Sequence, residues 1–198
     1  MSRTLTRLAI INAAAKLFAH QGFEKTTVDE VATEAGIAKG TIFYNFKTKD
    51  EIFFSVLKQG IDNLADLARE RAEGRTTPIE KMDAVYDATV EFLQKHASFG
   101  NLLVSELGRV YSRWNLDPLT LLEPYLQILE QILSEGQERR SFRRDISARE
   151  IAVIFFLGIA GSGLARLMTA GHADLHFFES TKKILMGGLK IETLSVAV

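Results

Sequence analysis

Residues 27–51 have the sequence TVDEVATEAGIAKGTIFYNFKTKDE, which predicts two short helices joined by a sharp turn and followed by a third helix. Gly36 stands between the two short helices, where a tight turn needs a positive φ or room for close approach. Thr27 and Glu30 have the spacing of a capping box before the first short helix, and a second capping box follows at residues 48–51. This pattern is typical of a helix-turn-helix.

The second short helix, AKGTIFYNFK at residues 38–47, is predicted to have a narrow apolar side and a broad polar side. The apolar side, expected to pack inward, consists of Ile42, Phe43 and Phe46. The polar side, expected to face a groove in DNA, consists of Lys39, Thr41, Tyr44, Asn45 and Lys47. The alternative is an ordinary corner between two helices of an all-helical protein.

The composition of the 198-residue chain suits a globular protein, with 46% hydrophobic and 25% charged residues and three prolines. The chain has no cysteine, which excludes a disulfide framework, thiol chemistry and cysteine metal ligands and fits a reducing compartment. Arg7, Asn12 and Lys16 interrupt the apolar N-terminus, so we expect no signal peptide. The longest apolar run, residues 151–161, is about half of a membrane span. We therefore expect a cytoplasmic protein without membrane contact.

The net charge of −1 gives no indication of a nucleic-acid partner, but positive charge is in slight excess in the N-terminal part. The first 50 residues hold seven basic and five acidic residues. Lys39, Lys47 and Lys49 cluster around the predicted groove helix. This local excess of positive charge is what a DNA-binding segment needs.

Helical spacing of apolar residues continues through the rest of the chain, and no strand pattern occurs. The fold class is therefore predicted to be all-α with about nine helices, in which a long helix at residues 48–72 follows a compact three-helix unit. The seventh helix is interrupted by Pro124, and the pattern leaves open whether it kinks there or begins near Leu122. Six predicted helices lie at residues 4–20, 28–35, 38–46, 48–72, 77–96 and 98–114. The seventh ends at about residue 139, and the last two lie at residues 148–170 and 175–192.

Residues 10–54 resemble the DNA-binding domain of the TetR (tetracycline repressor) family of bacterial transcription regulators, most clearly over AAAKLFAHQGFEKTTVDEVATEAGIAKGTIFYNFKTKDEIF at residues 13–53. The resemblance implies an all-helical homodimer. Its helix-turn-helix DNA-binding domain would occupy residues 1–47, and its effector-binding and dimerisation domain would occupy residues 48–198. The long fourth helix would link the two.

The resemblance also implies individual DNA contacts. Thr27 matches a phosphate-binding position, Lys49 matches a lysine that approaches the DNA backbone, and Ala38, Phe43 and Asn45 depart from the residues that the family usually has. Alternatives remain for two positions, because Lys49 can be a solvated surface lysine and Tyr44 can pack against the first helix. The whole predicted DNA-binding set is Thr27, Lys39, Gly40, Thr41, Tyr44, Asn45 and Lys49.

Elementary chemistry assigns roles to the same residues. Lysine and threonine side chains position a protein on phosphates, whereas a lysine such as Lys39 can also reach a guanine edge in the major groove. Gly40 lets the backbone come close to DNA, and Tyr44 offers a ring to a thymine methyl group.

Helix 148–170 has one side nearly free of side chains, because it contains Gly158, Gly161 and Gly163. Close approach of a partner helix is then possible, and the last two helices of two subunits can form a four-helix bundle. The alternative is a core helix of a single subunit. The predicted dimer interface consists of Phe155, Gly158, Gly161, Leu164, Phe178, Ile184 and Leu185.

Aromatic residues between the fourth and eighth helices suggest a pocket for a lipophilic or aromatic effector. Glu106 follows an apolar face and is expected either to point inward or to lie at a solvated rim. The alternative is that most of these aromatic residues only form the core. The predicted pocket consists of Tyr86, Thr89, Phe92, His96, Leu103, Glu106, Tyr111, Tyr125 and Phe155.

The sequence thus predicts a repressor that leaves a palindromic operator when a small effector binds. The first alternative is a DNA-binding regulator without an effector, and the second is a helical-bundle enzyme or carrier. Against the second, the chain has no HExxH motif, no glycine-rich phosphate loop and no di-iron carboxylate–histidine repeat. His172 and His176 are interpreted as surface residues. We expect no catalytic residue, no metal site and no cofactor; the expected partners are double-stranded DNA, a small-molecule effector and a second copy of the chain.

Overall fold

The structure is a computed structural model that describes residues 3–97, 99–103, 118–169 and 176–190, and its regular structure within these residues is entirely helical. This confirms the all-α prediction. The helices are α1 (Arg3–Gln21), α2 (Val28–Glu34), α3 (Lys39–Asn45), α4 (Lys49–Ala72), α5 (Pro78–Lys95), α6 (Pro118–Glu138), α7 (Ala148–Met168) and α8 (Phe177–Gly188). Residues 99–103 are helical too, but most of the helix predicted at 98–114 lies outside the described residues.

Two helix boundaries differ from the prediction. Helix α6 begins at Pro118 and runs through Pro124, so the interpretation that it begins near Leu122 is wrong. A proline this early in a helix removes one backbone hydrogen bond, and burial of Tyr125 and other apolar residues of the same helix offsets that loss. Helix α8 ends at Gly188, earlier than predicted, because glycine is a poor helix former.

The chain divides into two compact units. The first unit comprises Met1–Asp62 and His96–Leu121, and the second comprises Asn63–Lys95 and Leu122–Val198. The division therefore falls within α4. Helix α4 contributes its first half to one unit and its second half to the other.

Three aromatic rings form the centre of the first unit. Phe18 of α1, Phe23 of the following loop and Phe53 of α4 are all buried. The ring of Phe53 lies 5.4 Å from that of Phe18 and 4.8 Å from that of Phe23, both in edge-to-face geometry. These contacts hold the start of α4 against α1 and so place it next to the helix-turn-helix.

Helix α4 has a glycine, Gly60, in its middle, where a side chain would collide with a neighbouring ring. A Cβ atom built there would lie 2.0 Å from a ring carbon of Phe99, which is far inside van der Waals contact. The absence of a side chain at Gly60 thus lets the Phe99 ring pack directly on the α4 backbone.

Helices α5, α7 and α8 pack together in the second unit. The Tyr86 hydroxyl of α5 donates a 2.6 Å hydrogen bond to the Phe178 carbonyl of α8. Lys182 of α8 forms ion pairs with Asp83 and Asp87 of α5 at 2.9 and 2.8 Å. These contacts fix α8 on the surface of α5.

Helix α7 is the most apolar helix in the described part of the chain that is long enough to cross a bilayer, with a mean hydropathy of 1.6 over Ala148–Ala165. However, 44% of that segment is buried inside the protein. A helix that is apolar because it lies in a protein core has the same composition, so the hydropathy alone does not indicate a membrane span.

Candidate nucleic-acid interface

The start of α2 is closed by the capping box that the sequence predicts. The amide of Glu30 donates to the Thr27 hydroxyl at 3.2 Å, and the Glu30 carboxylate accepts from the Thr27 amide at 2.7 Å. The Thr27 hydroxyl also donates to the same carboxylate at 2.8 Å. These bonds to Thr27 hold the pKa of the Glu30 carboxyl below its ordinary value. Both donors of Thr27 are thus used by Glu30, and a phosphate would have to displace that carboxylate.

The turn between α2 and α3 depends on Gly36. Its φ of +66° lies in the left-handed region, where a residue with a side chain is strained. The amide of Ile37 then donates to the Ala32 carbonyl at 3.0 Å and closes the end of α2. This geometry sets the direction in which α3 leaves the turn.

Helix α3 presents two faces that differ in part from the prediction. Ile42 and Phe46 are buried, as predicted, because residues four apart share one face of a helix. Phe43 was predicted on the same apolar side, but its side chain is 49% exposed. Tyr44 is 73% exposed beside it, so the outward face of α3 carries two aromatic rings.

Asn45 does not lie on the outward face. Its side chain is only 6% exposed, and its Nδ2 donates to the Thr41 carbonyl at 2.8 Å. Within the described residues its Oδ1 has no hydrogen-bond partner. The prediction that Asn45 contacts DNA is therefore replaced by a packing role at the end of α3.

Arg7 of α1 holds the end of α3, a role that the sequence analysis missed. Its Nη1 donates to the Asn45 carbonyl at 2.6 Å, and its guanidinium carbon lies 4.0 Å from the centre of the Phe46 ring. A signal was present in the sequence, because Arg7 shares the face of α1 that buries Ile10 and Ala14 at helical spacing. An arginine in an apolar stripe indicates an internal partner.

Lys49 is engaged inside the first unit. Its Nζ donates to three carbonyls of the α1–α2 loop, those of Phe23 at 2.9 Å, Thr26 at 3.0 Å and Glu24 at 3.3 Å. The same atom lies 4.3 Å from the centre of the Phe23 ring. Neither the predicted phosphate contact nor a freely solvated lysine describes this arrangement, since an ammonium group has only three donors.

Lys49→Met is expected to lower the free energy of unfolding by about 1–3 kcal/mol, because two part-buried carbonyls and one exposed carbonyl lose a charged donor. Urea unfolding monitored by circular dichroism measures this change. Lys47→Met is the matched control, since Lys47 is exposed, and its stability is expected to stay within about 0.5 kcal/mol of the wild type. Unchanged stability of Lys49→Met together with weaker DNA binding would instead support a phosphate contact.

The other members of the predicted DNA-binding set lie at the start of α3. Lys39 is exposed and forms a 2.8 Å ion pair with Asp29 of α2. A Cβ atom added at Gly40 would meet no atom within 4 Å, so the backbone there is open to a ligand. Thr41 is partly exposed next to them. The structure thus brings Lys39, Gly40, Thr41 and Tyr44 together on one surface.

The predicted effector pocket falls on both units. Tyr86, Thr89, Phe92, Tyr125 and Phe155 are all buried in the second unit. His96 is exposed and Leu103 is buried, and both belong to the first unit. Two further members, Glu106 and Tyr111, lie outside the described residues.

The buried members of this set contact one another. The hydroxyl groups of Thr89 and Tyr125 are 2.7 Å apart, and the rings of Tyr86 and Phe155 meet edge to face at 5.8 Å. Burial raises the pKa of Tyr86 to about 12 and also raises the pKa of Tyr125. An ordinary tyrosine is already neutral at physiological pH, and burial makes ionisation of these two still less favourable.

The predicted dimer residues separate into two groups. Phe155 is buried inside its own subunit, and Gly158 accommodates Leu185 of α8, whose Cδ1 would lie 3.1 Å from a Cβ at that glycine. These positions serve packing within the subunit, so we leave Phe155 and Gly158 out of the proposed interface. Phe178 and Leu185 are partly exposed, whereas the remaining predicted residues are exposed: Gly161, Leu164 and Ile184.

The fold and this surface define the class of protein: an all-helical DNA-binding protein with an N-terminal helix-turn-helix and a separate helical unit. Comparison with known proteins agrees. Residues 10–56 match the family of bacterial regulatory proteins, tetR family, and residues 78–170 match the tetracyclin repressor-like C-terminal domain.

Two related proteins and one solved structure illustrate the match. The fatty acid metabolism regulator protein of Bacillus subtilis is 27% identical over 142 residues, which are 72% of this chain and 73% of that protein. The transcriptional repressor KstR2 of Mycolicibacterium smegmatis is 28% identical over 138 residues, which are 69% of this chain and 67% of that protein. The crystal structure of the transcriptional regulator FadR from Bacillus subtilis in complex with stearoyl-CoA has a TM-score of 0.78 at 25% identity, covering 92% of this chain and 98% of that one.

The chain belongs to the TetR family of bacterial transcription regulators. It is a DNA-binding transcription regulator and not an enzyme, as the sequence analysis predicted. The helical-bundle enzyme or carrier is thereby excluded.

Proposed function

We propose that this protein is a cytoplasmic repressor that binds a palindromic operator as a homodimer and is released by a fatty acyl-CoA. The observation that carries the DNA-binding part is the outward face of α3, where Lys39, Gly40, Thr41 and Tyr44 share one accessible surface. A rigid frame supports this face, because the Gly36 turn sets its direction and Arg7 holds its far end.

A homodimer is needed because a single helix-turn-helix contacts too few base pairs to select one genomic site. Helix α7 supports the proposal, because it carries an exposed apolar stripe at helical spacing that consists of Ile154, Leu157, Gly161, Leu164 and Met168. Helix α8 adds the exposed Ile184. Contiguous exposed apolar surface is typical of protein–protein interfaces. Sedimentation at micromolar concentration is expected to give a dimer, and a monomer would contradict this part.

The chemical class of the effector is suggested by the relatives. One is named a fatty acid metabolism regulator, and the solved FadR structure of Bacillus subtilis contains stearoyl-CoA. In this chain, the residues around Tyr86, Tyr125 and Phe155 are buried and largely apolar, so an acyl chain that separated them would meet an apolar lining. An effector would act by binding better to a conformation in which α4 and the recognition helices no longer match the DNA.

Titration of the protein–operator complex with stearoyl-CoA is expected to release a fluorescent operator duplex, as measured by anisotropy. Coenzyme A without an acyl chain is the control and is expected to leave the complex intact. If saturating stearoyl-CoA and shorter acyl-CoAs all leave the operator affinity unchanged, a regulator without such an effector becomes the better description.

A further inference from the structure

Two of the lysines that the sequence assigns to DNA are already paired. Lys39 is held by Asp29 at 2.8 Å, and Lys49 donates to the α1–α2 loop. Affinity for DNA nevertheless rests largely on cations that neutralise phosphates. Lys47, exposed just after the end of α3, is one remaining cation, and further positive charge next to α3 would strengthen DNA binding.

Arg3, the first residue of α1, provides such a charge. Its guanidinium carbon lies 5.5 Å from the centre of the Tyr44 ring. Both side chains are exposed, and within the described residues no carboxylate lies at ion-pair distance from Arg3. Arg3 therefore lies beside the outward face of α3 with an unneutralised charge.

The helical repeat explains why α1 supplies two different arginines to α3. Arg3 and Arg7 are four residues apart and so share one face of α1. Arg7 reaches the buried end of α3 at the Asn45 carbonyl, whereas Arg3 lies one turn earlier, over the exposed Tyr44 ring. One arginine thus positions α3, and the other remains available to a ligand.

We propose that Arg3 contacts DNA by donating to a phosphate at the edge of the groove that α3 occupies, with the Tyr44 ring as its platform. A guanidinium that lies over a ring face uses no N–H donor for that contact, and its planar shape matches a phosphate. The contact with the ring also limits the side chain before binding, so less conformational freedom is lost when a phosphate is bound. The inference rests on the proposed DNA-binding function.

The test compares the salt dependence of DNA affinity between full-length variants. Arg3→Gln is expected to reduce the slope of log K against log salt by about 1.8 per bound dimer, because each of the two subunits loses one phosphate contact worth about 0.9 on duplex DNA. The loss is expected on a selected operator and on a scrambled duplex alike, because a phosphate contact carries no sequence information. Arg3→Lys, which keeps the charge, is expected to retain the wild-type slope.

Arg144→Gln is the matched control, since Arg144 is an exposed arginine of the second unit and its loss changes the net charge equally. Its slope is expected to equal that of the wild type. Thermal unfolding of each variant checks that the fold is kept. A wild-type slope for Arg3→Gln would overturn the proposal.

A second measurement does not rely on the variant alone. Neutral methylphosphonate groups are placed one at a time in the operator. They are expected to weaken wild-type binding at one flanking phosphate of each half-site, and Arg3→Gln is expected to show no further loss at those two positions. Failure to find such a position would also overturn the inference. Failure of the proposed function would give a different result: the wild type would then bind every selected sequence no more tightly than scrambled DNA.

Discussion

Phe53→Ala is expected to lower the free energy of unfolding by about 3–5 kcal/mol, the largest stability change in this set of predictions. Phe53 is 0% exposed, and its ring meets those of Phe18 and Phe23 edge to face. The substitution leaves a cavity where α1, the following loop and α4 meet. Urea unfolding followed by circular dichroism measures the loss.

Phe43→Ala provides a matched control in the same unit, because it removes the same ring from a half-exposed position. Its stability is expected to fall by about 1 kcal/mol or less, since most of the lost surface was already in contact with water. Equal losses for Phe43→Ala and Phe53→Ala would contradict the burial of the Phe53 ring and the exposure of the Phe43 ring.

Tyr44→Ala is expected to weaken operator binding by about 1–3 kcal/mol, or roughly 5- to 150-fold, while the unfolding temperature stays nearly unchanged. The ring is 73% exposed, so its removal leaves no cavity. The same change removes the ring over which the Arg3 guanidinium lies. A mobility-shift assay gives the affinity, and thermal unfolding gives the stability.

Tyr44→Phe separates the two parts of this side chain. The ring and its stacking on Arg3 remain, so any loss of affinity in this variant belongs to the hydroxyl group. If Tyr44→Ala binds the operator as tightly as the wild type does, Tyr44 does not face the groove.

Local sequence rules predicted the helix-turn-helix well. The capping box at Thr27 and Glu30 forms as expected, and Gly36 adopts the positive φ that the turn requires. Both features depend on residues within one turn of each other, so no knowledge of distant packing was needed.

The errors came from contacts between residues distant in sequence. Lys49 looks like a surface cation, but the α1–α2 loop, 23 to 26 residues earlier, supplies its carbonyl partners. Asn45 looks polar and therefore outward, yet Arg7 and Thr41 enclose the end of α3. Phe43 looks apolar and therefore inward, but the helical repeat turns it away from Ile42 and Phe46. A single short segment does not specify which of its sides the rest of the domain covers.

In the proposed interface, the predicted cations contribute less free positive charge than the sequence predicts. Lys49 and Arg7 stabilise the frame, whereas Lys39 shares its charge with Asp29. The outward face of α3 consists of aromatic rings, an open backbone at Gly40 and few free cations. We therefore expect operator recognition to depend strongly on apolar and close-range contacts in the groove, with phosphate contacts supplied from elsewhere, such as Arg3.

Selection of bound DNA from a random pool by the purified full-length protein shows whether two copies of α3 read DNA together. We expect an inverted repeat whose two half-sites are centred about one helical turn apart, roughly 34–36 Å, because two copies of α3 enter successive major grooves. The same selection with Tyr44→Ala should enrich this repeat weakly. A pool that stays random with the wild-type protein, or that converges on a single half-site without symmetry, would contradict a dimeric repressor that reads DNA through α3.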